Sequence, residues 1–421
     1  MLLLVMLAAV IFAACSGSDS SDDPLQLAQP ETVGHEMGFS CRLAETTRGV
    51  GDGEYTTEML KASGFGVYCW YTGNTDYTSG TDIKSVTQTI LMLNQKVEYE
   101  NGQWTYSPSK YWPLKDDEKL TFRAYAPYVS YQLQTDATTG LPMLPVVLGT
   151  ETRDAVIYGT DYHNGTQQDP LWGTGRLVLP SGEYDPGTTY GHLYDNITYE
   201  MSGDYRLANA SETRNGIIDW YFHHGMSKLM FTCSVIKDPG CDKVVIKGIK
   251  IEKLYTQGLL SLNSPTASAI NKPSWDQEAG NMVVALNGAT TTDGGSTWTA
   301  GDLACAPGDT EDPGYKPYPF VIETSPTQAT TPVDLLSHGL LIIPRDFRSE
   351  AMTVTITYSI DEDAEPLTAI GTIEQDFQGN TSYTLRLSLT PSTRGLEISL
   401  VQGAFTPWLN AGTGDHDVYN W

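Results

Sequence analysis

MTVTITYSI, residues 352–360, puts Met352, Val354, Ile356, Tyr358 and Ile360 on one side of an extended chain and Thr353, Thr355, Thr357 and Ser359 on the other. Successive side chains of a strand point to opposite faces, so this period of two reads as a β-strand buried on one side. The pattern recurs outward from that segment. SYTLRLSLT (382–390) aligns Tyr383, Leu385, Leu387 and Leu389, and GLEISLV (395–401) aligns Leu396, Ile398 and Leu400. KLMFTCSV (228–235) aligns Leu229, Phe231, Cys233 and Val235, and KLTFRAYA (119–126) aligns Leu120, Phe122, Ala124 and Ala126. In VEYENGQWTY (97–106), Val97 and Tyr99 lead into Asn101-Gly102, followed by Trp104 and Tyr106. Asn-Gly is the preferred pair for a two-residue type I′ turn, whose central positions both need positive φ. Windows of helical period are hard to find. Half-buried strands of this kind belong to antiparallel sheets packed face to face, so the expectation is a mostly β protein made of β-sandwiches.

The chain has 421 residues, 40% of them hydrophobic, which is enough for large cores and points to two domains. Its 24 Tyr, 40 Gly and 23 Pro suit strands and turns. With 25 Lys and Arg against 51 Asp and Glu, the net charge is -26 and no basic patch appears. Such a surface repels phosphate backbones, so nucleic acid is not an expected partner. A Gly/Tyr/Asp/Asn-rich stretch from about Gly159 to Asn215 shows few strong strands, and firm alternation restarts in DWYFHHGMSKLMFTC (219–233). We therefore expect an N-terminal sandwich over 36–215, a C-terminal sandwich over 216–408 and a tail over 409–421. A second irregular stretch, Ser261 to Thr331, reads as long loops inserted in the second sandwich.

No pattern points to catalysis, a cofactor or a metal. GMSKL (225–229) lacks the second Gly of a nucleophile elbow. His223 and His224 are adjacent, so in a strand they face opposite sides and cannot easily share one ion; structural roles at a strand start are the simpler reading. Asp361-Glu362-Asp363 lacks the spacing of a calcium loop and reads as a solvated hairpin turn. Trp70, Tyr71, Trp112 and Trp220 fit either sugar stacking or ordinary aromatic β-propensity. Besides Cys15 there are Cys41, Cys69, Cys233, Cys241 and Cys305, an odd number without metal-ligand spacing. A Cys233–Cys241 bridge across a hairpin is open, with buried free thiols expected for most.

Residues 1–14, MLLLVMLAAVIFAA, carry no charge and are short for a bilayer span. They have the length and small-residue ending of a secretory h-region. Ala13 and Ala14 directly before Cys15 resemble the bacterial lipobox, although Phe12 stands where Leu is usual. That resemblance implies a signal peptide over 1–14 and lipidation of Cys15. The Ser/Asp-rich segment 15–35 then reads as a solvated acidic tether, similar to signals that send lipoproteins to the outer face of the outer membrane.

FGVYCWYTG (65–73), YWPLKDDEKLTFRAYAPY (111–128), FHHGMSKLMFTC (222–233), VVIKGIKIEKLYTQG (244–258), GLLIIPRDF (339–347) and FTPW (405–408) together resemble the fimbrillin family, the two-domain subunits and accessory proteins of type V pili. The resemblance covers most of the chain after about residue 36. It implies two transthyretin-like β-sandwiches, export as a lipoprotein, and assembly with other pilus subunits at the cell surface. It also implies maturation by an arginine-specific protease that removes the first strand, leaving a groove for a neighbour's donor strand.

In HEMGFSCRLAETTRGVG (35–51), Met37, Phe39, Cys41 and Leu43 alternate with Gly38, Ser40 and Arg42, and Arg48 follows in a Thr/Gly-rich loop. Cutting after Arg48 liberates that strand whole, whereas cutting at Arg42 splits it. The alternative is a permanent edge strand with an ordinary loop arginine. Two donors stand open: the tail, with its apolar Val418, Tyr419 and Trp421, and the last strands around 383–401. The leading function is thus a non-enzymatic pilus subunit, tip or accessory protein supporting adhesion, with a host glycan or protein as a possible ligand. The alternative is a glycan-binding outer-membrane surface lipoprotein.

Overall fold

The structure is a computed structural model that describes residues 32–43, 57–78, 82–113, 118–147, 159–161, 166–178, 197–198, 217–236, 241, 243–262, 274–284, 289–290, 299–300, 320–323, 329–335, 340–360 and 365–401. Two sheets dominate it. The first has eight strands, ordered Gly38–Leu43, Ile217–His224, Leu171–Val178, Lys119–Ala126, Phe65–Gly73, Thr89–Glu100 and Gln103–Thr105, with Ile197–Thr198 beside Lys119–Ala126. The second has twelve. Its main path runs Val333–Asp334, Ser227–Val235, Thr381–Thr390, Gly395–Val401, Leu367–Ile373, Met352–Ile360, Lys243–Ser261, Pro142–Val147 and Gln134–Thr135.

The alternating segments form strands as expected. Met352, Val354, Ile356 and Tyr358 are fully buried in the core of the second sheet. Asn101 and Gly102 have φ of 52° and 86° and join the Glu100↔Gln103 pair, the two-residue turn read from Asn-Gly. Helix is confined, among the described residues, to Thr57–Ser63 and Ile83–Val86, the latter capped by the Asp82 side chain accepting from the Lys84 amide. The architecture is mostly β, with sandwich-like layers around two cores.

The structure departs from the reading at several points. Among the described residues, three pairings are parallel: Gly38–Leu43 with Ile217–His224, Ser227–Val235 with Thr381–Thr390, and Leu367–Ile373 with Gly395–Val401. Each joins strands that are not consecutive, so no hairpin imposes antiparallel pairing on them. Strands form in both stretches read as irregular, and each stretch holds one long strand. Leu171–Val178 sits inside the first sheet, and Ser274–Val284 pairs along Lys243–Ser261. The segment expected to open the second domain also behaves differently. Ile217–His224 completes the first sheet, and the chain changes sheet at Gly225-Met226.

Half-burial fails most clearly in the centre of the first sheet. Phe65–Gly73 is buried throughout, and so is nearly all of Lys119–Ala126. Alternate residues enter different cores. Phe65, Val67, Cys69, Leu120, Phe122 and Ala124 pack inside the first sandwich, while Tyr68, Trp70, Tyr125 and Trp172 pack with residues of the second sheet. The outer face of one sheet is therefore the inner face of the junction. The Pro142–Val147 strand reinforces this, because it leaves the N-terminal half to pair with Gln257–Ser261 of the second sheet. Cys41, Cys69, Cys233 and Cys241 are free thiols, so no Cys233–Cys241 bridge forms. Burial pushes the Cys233 thiol up to about 12, and Cys69 rises for the same reason.

Candidate functional site

The candidate site is the outermost strand of the first sheet. Gly38–Leu43 pairs in parallel with Ile217–Phe222, from Gly38↔Ile217 to Leu43↔Phe222, and is terminal in the strand order. Its entry is held by the core. The Met37 amide donates to the Lys110 carbonyl at 2.8 Å, and the Tyr106 hydroxyl donates to the Met37 carbonyl at 2.8 Å. Met37 and Phe39 are buried, and the Phe39 ring lies 5.4 Å from Tyr106 and 6.4 Å from Phe122 between centroids. On the alternate side the Ser40 hydroxyl donates to Asp219 at 2.6 Å. Cys41 is half-buried, and burial with the neighbouring Asp219 carboxylate pushes its thiol well above the usual range, so it is not a reactive thiolate. Gly38 is needed for close approach, since a Cβ there would stand 2.9 Å from Ile217 Cγ1.

Of the displaced-strand residues named from sequence, Met37, Phe39 and Cys41 fall as the alternation requires, and Leu43 pairs through its backbone with Phe222. Cys15, Arg48, Val418, Tyr419 and Trp421 lie outside the described residues, as do Asp361-Glu362-Asp363. The strands once open as donors, Thr381–Thr390 and Gly395–Val401, each have neighbours on both sides within the second sheet. The pinning groups Tyr106, Lys110 and Asp219 were not singled out from sequence. Nothing local marks them, because their partners lie up to 179 residues away.

The other candidates resolve into structural roles. Trp70, Tyr71, Trp112 and Trp220 are all buried, so they form no exposed sugar platform. His223 and His224 stand at the end of their strand, not its start, and face opposite ways. His223 Nε2 lies 2.8 Å from Thr174 Oγ1 with its ring stacked on Trp172, while His224 Nδ1 lies 2.7 Å from Asp169 Oδ2. Burial, with His224 adding to it, holds the His223 pKa down at about 3, so its imidazole is neutral in ordinary buffers.

An open cleft of about 360 Å³ is lined by Tyr255, Pro344, Arg345, Asp346, Asp376, Phe377 and Gln378. Its two carboxylates are bound by one cation, with Arg348 Nη2 at 2.6 Å from Asp346 and 3.3 Å from Asp376. Those bonds hold the Asp346 pKa down at about 2, the wrong direction for a general acid. No cluster of metal-ligating side chains is present among the described residues, and none of their helices is long and apolar enough to cross a membrane.

The fold and its edge strand thus define a two-sandwich β protein whose Gly38–Leu43 strand, preceded by Thr32–Glu36 on Tyr111–Pro113, is held by a single neighbouring strand. No family model matches the chain. It is 29% identical over 243 residues to fimbrium subunit Fim1C of Phocaeicola vulgatus, an alignment that takes in 48% of this chain and 60% of that one. The match therefore spans less than two thirds of that relative's length. A crystal structure of a fimbrial protein from Bacteroides vulgatus is similar with a TM-score of 0.46 at 16% identity, over 87% of this chain and 98% of the other. The fimbrial anchor protein Mfa2 of Porphyromonas gingivalis is similar with a TM-score of 0.32 at 7% identity, over 87% and 97% respectively. The fimbrillin resemblance read from the sequence agrees with the proteins this chain is similar to.

Proposed function

We propose that this protein is exported as a fimbrial surface lipoprotein, its precursor tethered to the outer membrane through Cys15, and that the cleaved chain is a structural or tip/accessory subunit that supports adhesion and joins its neighbours by strand exchange. In this reading an arginine-specific protease cuts after Arg48 and frees the strand that carries Met37, Phe39, Cys41 and Leu43. The observation that carries it is the terminal position of Gly38–Leu43 with two buried apolar residues, Met37 and Phe39, at its start. Losing that strand exposes the backbone edge of Ile217–Phe222 and empties the sites of both side chains. A buried polar group left without a partner costs roughly 1–3 kcal/mol, so the vacated edge favours another strand of alternating pattern. The 29%-identical relative named as a fimbrium subunit supports the same reading.

The donor in this scheme is the tail with Val418, Tyr419 and Trp421. Withdrawing Thr381–Thr390 or Gly395–Val401 breaks two ladders for each strand removed.

The test is N-terminal sequencing of the mature protein from cells with and without their arginine-specific protease, alongside an Arg48→Ala variant. The expected result is a mature chain beginning at Gly49 and SDS-resistant ladders, both lost in the variant. Filaments built from chains that still carry residues 37–43 overturn strand exchange, and a Cys15→Ser precursor, kept uncut by Arg48→Ala, that stays membrane-bound overturns the tether.

A further inference from the structure

We propose that Asp169 is a latch that locks the two sheets in one fixed orientation, so that the two halves of the subunit move and unfold as a single body. This does not depend on the fimbrial reading. The chain passes from the first sheet to the second at the two residues Gly225-Met226, between Ile217–His224 and Ser227–Val235. A two-residue crossing between large sheets would act as a hinge if nothing gripped both of its sides. Asp169 grips both. Its Oδ2 lies 2.7 Å from Nδ1 of His224, the last residue of the first sheet, and its Oδ1 accepts the amide of Met226, just past the crossing, at 3.1 Å. Both side chains of this contact are essentially inaccessible, at 0% for Asp169 and 1% for His224, so water does not compete for the hydrogen bond.

The crossing is closed from the opposite side as well. The Asn380 side-chain oxygen accepts the His224 amide at 3.2 Å, while the Asn380 amide donates to the Met226 carbonyl at 3.0 Å. The Gly225 amide donates to the Pro170 carbonyl at 2.8 Å, and a Cβ on Gly225 would meet that same oxygen at 2.6 Å. A hinge needs room for φ and ψ to change, and this crossing has none.

Two further ties lie away from the turn. Arg123 of the first sheet, itself buried, donates from Nε to the Leu262 carbonyl at 2.7 Å at the end of the long strand of the second sheet. Pro142–Val147 pairs with that strand along Gln257–Ser261. These hold the halves near each other. Asp169 and Asn380 each touch both sides of the crossing, but Asn380 is half-buried and Asp169 fully buried, so Asp169 has the larger share in setting the angle.

The test places spin labels by non-cysteine chemistry at Leu93 and Ile370, which are 55% and 61% exposed on the first and second sheets respectively. In the parent protein the inter-label distance is expected to be one narrow distribution, with a single calorimetric transition. In Asp169→Ala the distribution is expected to broaden or split at temperatures where both sheets remain folded. Asp169→Asn keeps one acceptor oxygen, so it is expected to fall between the two and carries the comparison if the alanine variant does not fold. A broad distribution in the parent, or variants as narrow as the parent, overturns the proposal.

Discussion

The hydroxyl of Tyr106 donates to the carbonyl of Met37 at 2.8 Å, so the start of the edge strand is fastened by a side chain from inside the core it covers. The same oxygen accepts the Lys110 amide at 3.2 Å, which keeps the tyrosine in place. Tyr106→Phe keeps the ring against Phe39 and removes only these polar links. The expected cost is about 1 kcal/mol, with faster amide hydrogen exchange confined to residues 38–43 and their partners at 217–222. Phe39→Ala removes the ring contacts with Tyr106 and Phe122 and is expected to cost about 3 kcal/mol by denaturant titration. Uniformly faster exchange across both sheets in Tyr106→Phe would contradict a local fastening.

Two glycines separate space from backbone conformation. At Gly66 a Cβ would lie 2.2 Å from the Tyr125 ring, so Gly66→Ala forces a buried aromatic aside and is expected to destabilise by about 1–3 kcal/mol. At Gly102 nothing lies within 4 Å, but φ is +86°, so Gly102→Ala is expected to cost about 1 kcal/mol through backbone strain alone. Thermal melts rank them, and a larger loss at Gly102 than at Gly66 would refute this ordering.

His223 makes stability depend on acid. Its ordinary value of 6.5 falls to about 3 in the folded protein through burial and the adjacent His224. As pH drops below 6.5 the unfolded chain takes up a proton that the folded protein refuses, so this contribution to stability is lost as pH falls towards 3. The slope is about 1.4 kcal/mol per pH unit for one proton. His223→Gln is expected to be less stable at pH 7.5 but to lose less between pH 6.5 and 5 than the parent. Parallel urea-midpoint curves for the two proteins would rule out this role.

Lys228 works in the alkaline range. Burial holds its pKa down at about 8 against an ordinary 10.5, so between those values the unfolded chain binds more protons and stability rises with pH. At pH 7 the folded protein carries a charged ammonium in a nearly inaccessible place. Lys228→Met is expected to raise stability at pH 7 by roughly 1–3 kcal/mol and to flatten the profile from pH 8 to 10.5. An unchanged or lower midpoint would mean that the contacts around the ammonium compensate its desolvation.

Much of the edge-strand site was legible in HEMGFSCRL, since Met37 and Phe39 take the buried positions their alternation assigns. The groups that fasten the strand were not. Asp219 reaches Ser40 across 179 residues of sequence, and no local period encodes that distance. Leu171–Val178 carries only a weak strand signal, because Gly173 and Gly175 interrupt its alternation. Gly173 is needed there, since a Cβ would stand 3.0 Å from Trp220 and 3.2 Å from Phe222. Pro142–Val147 carries two prolines, which local rules assign to an edge or an interruption, yet the strand lies between Lys243–Ser261 and the short Gln134–Thr135.

Alternation along MTVTITYSI and its counterparts determined that this chain is made of strands, where the Asn101-Gly102 hairpin closes and which residues share a face. It determined nothing about what covers the opposite face, because a period of two records the side a residue takes and not its neighbour. Tertiary structure alone decided that Tyr68, Trp70, Tyr125 and Trp172 enter a second core, that Ile217–His224 belongs to the first sheet, and that Asp169 meets His224 at the crossing. Those are long-range choices, made where two sheets compete for the same apolar surface and the packing that buries most of it prevails.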